Sequence, residues 1–297
     1  MPHLCTPTLI KTCIQQLQNS YIDFYGNLKL ELMNNISSIT YDVLSAIAQT
    51  DAPYHDLEHT VLVTLTGLEI LRGKHFNEGH VSHQDWCNTI LSLLCHDIGY
   101  LKGICRADRL EDEYFAIGIN RETLHLSPET TDASLTPYHV DRGKLFVAET
   151  LSNITNIDLD IPIIQHNIEF TRFPIPSRKE YQDTLSFAGL VRAADLIGQL
   201  ADPNYLTKMG RLFREFEETG THQRLGYRNP QDLRGGYPDF FHNIVLPYIR
   251  DALNYLRGTA KGREIVRELY RNVEIVEQEL ATKLQPQFRI LNKVAHS

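Results

Sequence analysis

Several stretches of this sequence set metal-ligand side chains inside apolar surroundings. His96 and Asp97 follow Leu91 to Cys95, a run in which only Ser92 is polar. A buried carboxylate without a partner costs several kcal/mol, so Asp97 needs something nearby to neutralise it. "APYHDLEHTVLV" carries His55 and His59 at a spacing that puts them on one helix face, with Asp51 or Pro53 as the start, unless the helix boundary falls between them. "LVRAADLIGQL" sets Asp195 in another apolar helical run. His139, ahead of a helix expected from near Asp141, and His166, after the apolar "IPII" run, are two further ligand types. A cation held by His59, His96, Asp97 and Asp195 answers the charge problem. Mixed imidazole and carboxylate ligands suit Zn, Mn, Fe or Mg, and they favour a catalytic site over a thiolate-based structural one.

The elements that must carry these residues read as helices. Val266, Leu269, Val273, Val276, Leu280 and Leu284 recur at helical steps near the C-terminus, with Pro286 as the expected stop. Similar spacing runs from Leu9 to Phe24, Leu30 to Ala48, Thr60 to Leu71, Trp86 to Cys95, Gly143 to Leu151 and Ser186 to Leu200. No series of alternating strands with hairpin signals is present, so the expected class is all-α. The weakly periodic stretch from about Gly99 to Tyr138 reads as a partly helical flap over a site. "GGYP" at 235–238 reads as a turn between a helix around Leu212 and another starting near Phe240. No linker divides the chain, which predicts a single helical domain over residues 1–297.

Composition narrows the function. The formal charge of -8 argues against non-specific binding to duplex nucleic acid. No apolar run approaches the roughly 18 to 20 residues needed to cross a bilayer, and Lys11 and Gln15 interrupt the only candidate signal region. Five cysteines without C-x-x-C spacing suggest reduced thiols, mostly packed in the core of a cytoplasmic protein.

The order His59, His96-Asp97, Asp195 on helices resembles the signature of HD-domain metal-dependent phosphohydrolases. More narrowly, "YHDLEHT" from Tyr54 is similar to the "YHNxxHA" of class I 3',5'-cyclic nucleotide phosphodiesterases. "RAADLIGQLADP" is similar to their "ADLSNP" helix, "FREFEETGTHQR" to "EEFFxQGDxE", and "YPDFFHNIVLPY" to "QxxFIxxIVxPL". The resemblance covers roughly residues 50–250. "HDIGYLKG" departs from the family's "HDxxHPG" and is closer to the "HDIGK" of HD-GYP proteins, which act on cyclic dinucleotides, with Tyr100 where their lysine stands. "YHVDRGKLFVAETL" resembles the HD-GYP "HPxxG" helix and "IIQHNIEF" their "HHE" segment, while the GYP triplet is absent.

The resemblance implies an all-α HD/PDEase-like helical bundle with two divalent metal ions, of Zn, Mg, Mn or Fe. Asp97 would bridge the ions, with His139 and His166 completing the second one. His55 matches the family's acid histidine and would protonate the leaving oxygen after a metal-bridging hydroxide attacks phosphorus, oriented by Asp56 or Glu58. Phe240 would stack on a base and Tyr237, standing where a purine-reading glutamine belongs, would meet its edge. Lys102, Arg106 and Arg109 are candidates to meet phosphate. The expected activity is cyclic-nucleotide phosphodiesterase, with a small-molecule nucleotide as partner and neither membrane nor duplex nucleic acid. A nucleotide phosphatase or triphosphohydrolase on the same scaffold is the alternative within hydrolases. A di-iron HD-domain oxygenase and a metal-bound sensor are alternatives from other classes. The N-terminal helices to Ala48 and the last helix are possible homodimer surfaces.

Overall fold

Helical periodicity accounts for most of the chain. The computed structural model describes residues 5–26, 30–79, 81–154 and 159–294, with side chains through residue 283 apart from that of Leu30. Helices α1 (Thr6–Tyr25), α2 (Leu30–Ile47), α3 (Leu57–Glu78) and α4 (His83–Cys95) form the first half, and α5 (His139–Thr150) and α6 (Ile161–Glu169) follow a long irregular stretch. Then come α7 (Phe187–Leu200), α8 (Tyr205–Glu218), the short α9 (Thr221–Leu225), α10 (Pro230–Phe240), α11 (Leu246–Arg257) and α12 (Ala260–Val294). Among the described residues, no helix is long and apolar enough to cross a membrane.

α3 is buried on every side, with Thr60, Val61, Val63, Thr64, Leu68 and Leu71 all inside. A helix that is apolar all round has to lie in the middle of a core, and α1, α4, α7, α11 and α12 pack around it. The helices expected as dimer surfaces also serve this chain: Leu17 of α1, Ile36 of α2 and Val273 of α12 belong to the same core. α4 starts at a capping box, in which the Ser82 hydroxyl accepts from the Asp85 amide and the Asp85 carboxylate accepts from the Ser82 amide. Ser92, the polar residue in the Leu91–Cys95 run, donates its hydroxyl to the Asn88 carbonyl at 2.6 Å, so its own hydroxyl is paired although fully buried.

Three expectations about the chain path change. The flap contains a two-stranded antiparallel hairpin, β1 (Tyr114–Ala116) paired with β2 (Thr123–His125), and a short 3-10 turn at Asp132–Leu135. "GGYP" does not turn the chain but lies inside α10. A Cβ at Gly236 would meet the Tyr227 hydroxyl at 3.1 Å, so the missing side chain serves close packing rather than a reversal. After Pro238 the helix widens into a π turn over Phe241–Val245 before α11. α12 continues past Pro286 to Val294; a proline removes one backbone hydrogen bond and bends a helix without having to end it.

The flap is pinned by Arg142 of α5, a fully buried side chain. Its Nε donates to the Gly99 carbonyl at 2.6 Å and its Nη2 to Leu101 at 2.7 Å. Nη1 reaches the Ala116 carbonyl, and both terminal nitrogens meet Asp108 at 2.9–3.0 Å. One guanidinium thus ties the segment after the HD pair to the hairpin.

Candidate metal centre and cavity

The apolar helices deliver their ligand types to one place. His59 comes from the first turn of α3, whose N-cap is Asp56; the Asp56 carboxylate accepts from the His59 amide at 3.0 Å. The helix boundary therefore falls between the two histidines, with His55 outside and His59 inside. His96 and Asp97 emerge where α4 ends. Ile98–Tyr100 then form one 3-10 turn, which rests against the start of α5 because Gly99 has no side chain: a Cβ there would lie 1.9 Å from the His139 carbonyl oxygen. This contact brings His139, the first residue of α5, toward Asp97. Asp195 arrives from the middle of α7.

Asp97 Oδ2 lies 3.1 Å from His59 Nε2 and 3.0 Å from His96 Nε2. Asp195 Oδ1 lies 3.7 and 3.5 Å from the same two nitrogens, and His139 Nε2 lies 3.8 Å from Asp97 Oδ1. These atoms crowd together without hydrogen-bond alignment: His59 Nε2, His96 Nε2 and Asp97 Oδ2 are all buried and unpartnered. Buried polar atoms are almost always paired, and three in contact with each other form a group that could hold a metal ion. The opposite ring nitrogens are already committed. His96 Nδ1 lies 2.7 Å from the Leu93 carbonyl and His139 Nδ1 2.6 Å from the Thr136 carbonyl. A carbonyl can only accept, so both rings carry their hydrogen on Nδ1 and turn Nε2 inward, the outer-shell arrangement that orients metal-binding imidazoles.

Charge in the cluster is tightly coupled. Burial opposes the His96 cation, but Asp97 and Asp195 beside it push its pKa well above the ordinary histidine value. Burial raises the Asp97 carboxyl, while His96, His59 and His55 outweigh it and hold the group well below the usual carboxylate range. Burial lowers His139.

His55 has a partner that the sequence motifs did not assign. Its Nδ1 lies 2.5 Å from Glu215 Oε2, and Glu215 Oε1 accepts from the Tyr54 and His55 amides at 2.6 and 3.1 Å. Burial opposes the imidazolium, but the Glu215 charge and hydrogen bond, with Asp97 and Asp195, push His55 up to about 9. Asp56 and Glu58, the expected orienting residues, are used elsewhere: Asp56 caps α3, and Glu58 pairs with Lys208 at 2.9 Å. A signal for Glu215 was present, because it falls three residues after buried Leu212 on the inward face of α8, where a carboxylate needs a reason. Tyr100, a departure from the HD-GYP motif, also takes a place that no motif assigns. Its ring stacks on His55 at 4.5 Å and 14°, and on the other side on His139 at 4.5 Å and 22°, so one phenol braces both imidazoles.

The cluster opens into a cavity of about 620 Å³ whose lining includes His55, Asp97, His139, Asp195 and Glu215. Tyr237 and Phe240 line it as expected. Phe240 meets Phe173 edge-on at 5.8 Å, and the Tyr237 hydroxyl is buried without a partner. Four candidates fall outside. Lys102 is absent from the cavity lining; its Nζ donates to the Thr130 carbonyl at 2.5 Å and lies over the Phe115 ring, closing the flap on itself. Arg106 bonds Glu149, and Arg109 pairs with Asp112. His166 is exposed on α6, edge-on to Phe170, and joins neither ligand group. Those groups are His55, His59 and Asp97, and His59, His96 and Asp195, each with ligand atoms within 4.8 Å of one another.

No curated protein matches the chain. A family model described as Npun_R2479-like matches residues 4–279, and the chain therefore belongs to the Npun_R2479-like family.

Proposed function

We propose that this protein is a metal-dependent phosphohydrolase that opens a phosphodiester, with a cyclic nucleotide as the substrate class. The observation that carries the reading is the set of three buried, unpartnered atoms on His59, His96 and Asp97, with Asp195 alongside and the Glu215-bound imidazole of His55 next to them. The donor set fits a divalent cation: two imidazole nitrogens and two carboxylates, with no thiolate. His139 stands beside Asp97 as the further ligand for a second ion. When bound, such cations neutralise phosphate oxygens and acidify water.

The chain's own residues supply the rest. His55 is held by Nδ1, which leaves Nε2 to give a proton to the departing oxygen. Glu215 keeps the ring charged and in one orientation, and Tyr100 blocks its rotation by stacking. Phe240 offers a face to a planar base, and Tyr237 a hydroxyl to its edge. Arg142 ties the flap to the segment that follows His96 and Asp97.

The test is a turnover panel with metal-loaded and chelator-treated protein on cyclic mononucleotides, cyclic dinucleotides, nucleoside monophosphates and triphosphates. Ring opening that depends on added metal supports the reading. Turnover confined to monoesters or triphosphates replaces the diesterase with a phosphatase or triphosphohydrolase, and turnover that consumes oxygen overturns hydrolysis altogether.

A further inference from the structure

The same cavity contains the reverse of the problem posed by Asp97, a buried cation without an acidic partner. Arg192 lines the cavity from α7, one turn before Asp195, and is 1% exposed. Its Nη1 donates to the Tyr181 carbonyl at 2.5 Å and its Nη2 to the Asp183 carbonyl at 2.8 Å. Nε is buried and has no partner. The guanidinium sits between two aromatic faces, 5.4 Å from the centroid of Phe170 and 4.5 Å from that of Tyr248. Among the described residues no carboxylate lies within salt-bridge distance of it. The acid whose charge reaches it, Asp183, is exposed and turns its side chain to the amides of Leu185 and Ser186 at 2.9 and 3.2 Å.

Carbonyl dipoles and ring faces can hold an arginine in place, but they leave a full positive charge in a medium that screens it poorly. The buried Arg142 in the same molecule shows the alternative, being matched directly by Asp108 at 2.9 Å. Arg192 has no such match and faces a space built for a ligand. Three helical residues separate it from Asp195 by about 4.5 Å along the axis, side chains lean toward the helix N-terminus, and the guanidinium is held on that side by the carbonyls of Tyr181 and Asp183. Its charge is thus offset from the cation position toward the start of α7, where it is placed to meet another group of the same molecule.

We infer that Arg192 forms a second, anion-binding end of the cavity, so that the substrate carries an additional phosphate or carboxylate beside the phosphodiester that is cleaved. This rests on the phosphodiesterase reading for the first group, and not for the second. An anion at the edge of the guanidinium meets the unpaired Nε or its field in the low-dielectric wall, and a neutral group gains nothing there.

The experiment compares 4-nitrophenyl alkyl phosphodiesters whose short alkyl chain ends in methyl, carboxylate or phosphate, using metal-loaded protein. Wild type is expected to favour the anion-terminated esters in kcat/KM by about 10- to 100-fold, the factor of one hydrogen bond to a charged group. The ratio between the carboxylate and phosphate arms identifies which anion is preferred. Arg192→Gln should remove the preference and Arg192→Lys should keep part of it. A purely structural role predicts equal losses on all three esters, and that result, or a wild type without the preference, overturns the inference. If no diester is cleaved, the functional reading fails by itself, and the anion site is judged by melting of the chelator-treated protein in inorganic pyrophosphate. The inference then stands if pyrophosphate raises the wild-type midpoint and not that of Arg192→Gln, and falls if both respond alike.

Discussion

Replacing Glu215 by Gln tests the charge logic of the site most directly. The substitution keeps an oxygen to accept from the Tyr54 and His55 amides and replaces the carboxylate oxygen facing His55 Nδ1 by an NH2 group, which cannot accept from an imidazolium. In the folded protein His55 lies at about 9, against an unfolded value of 6.5. That difference is worth about 3 kcal/mol, and Glu215 is the largest of the interactions that create it. Because the folded value is the higher one, the stabilisation is fully present below pH 6.5 and disappears as pH rises through about 9. Urea unfolding of chelator-treated wild type and Glu215→Gln should therefore differ most at pH 6, with the gap shrinking by about 2 to 3 kcal/mol by pH 10. The His55 proton resonances should titrate near 9 in wild type and well below that in the variant. With metal bound, the alkaline limb of kcat/KM should move to lower pH in the variant, since the acid loses its proton sooner. Stability curves that run parallel across this range, or an unmoved His55 titration, would refute the reasoning.

Other expectations follow from the same contacts. Adding a divalent cation should raise the melting temperature of wild type, with about 4 kcal/mol available at a thousandfold excess over Kd, and should not do so in His96→Ala or Asp97→Ala. Cation affinity should weaken as pH falls, because the proton that Asp97 and Asp195 hold on His96 competes with the ion; calorimetry in buffers of different ionisation enthalpy would measure the protons released. His55→Ala should retain metal by elemental analysis and lose about 10²- to 10⁴-fold in rate, whereas loss of metal would make His55 a ligand. Arg142→Met leaves the buried Asp108 carboxylate with amide donors but no cation and should cost about 3 kcal/mol in urea unfolding.

The ligand cluster was legible because its residue types contradict their surroundings. A histidine and an aspartate at the end of Leu91–Cys95, and an aspartate amid the alanines and leucines of α7, demand a neutralising partner whatever the fold, and helical periodicity placed each on its own helix. The short-range signals also held for His139, since Gly99 permits the close approach that carries it in. Reading failed where the answer depended on which distant segment faces a residue. His55 has two acids next to it in sequence, but one caps α3 and the other binds Lys208, and its partner comes from α8, 160 positions away. Lys102 follows the HD pair closely, yet the flap folds over so that its amine closes on Thr130. His166 has a ligand's side chain on a helix face that looks outward. The glycines and proline of "GGYP" carry turn chemistry that packing against Tyr227 overrides. Sequence by itself determined the all-α class and which histidines and aspartates are set inside apolar helices, because both follow from local composition and spacing. Which carboxylate orients His55, which cations reach the cavity and which merely tie down a loop were decided only by the tertiary structure, because those are contacts between residues that no local pattern relates.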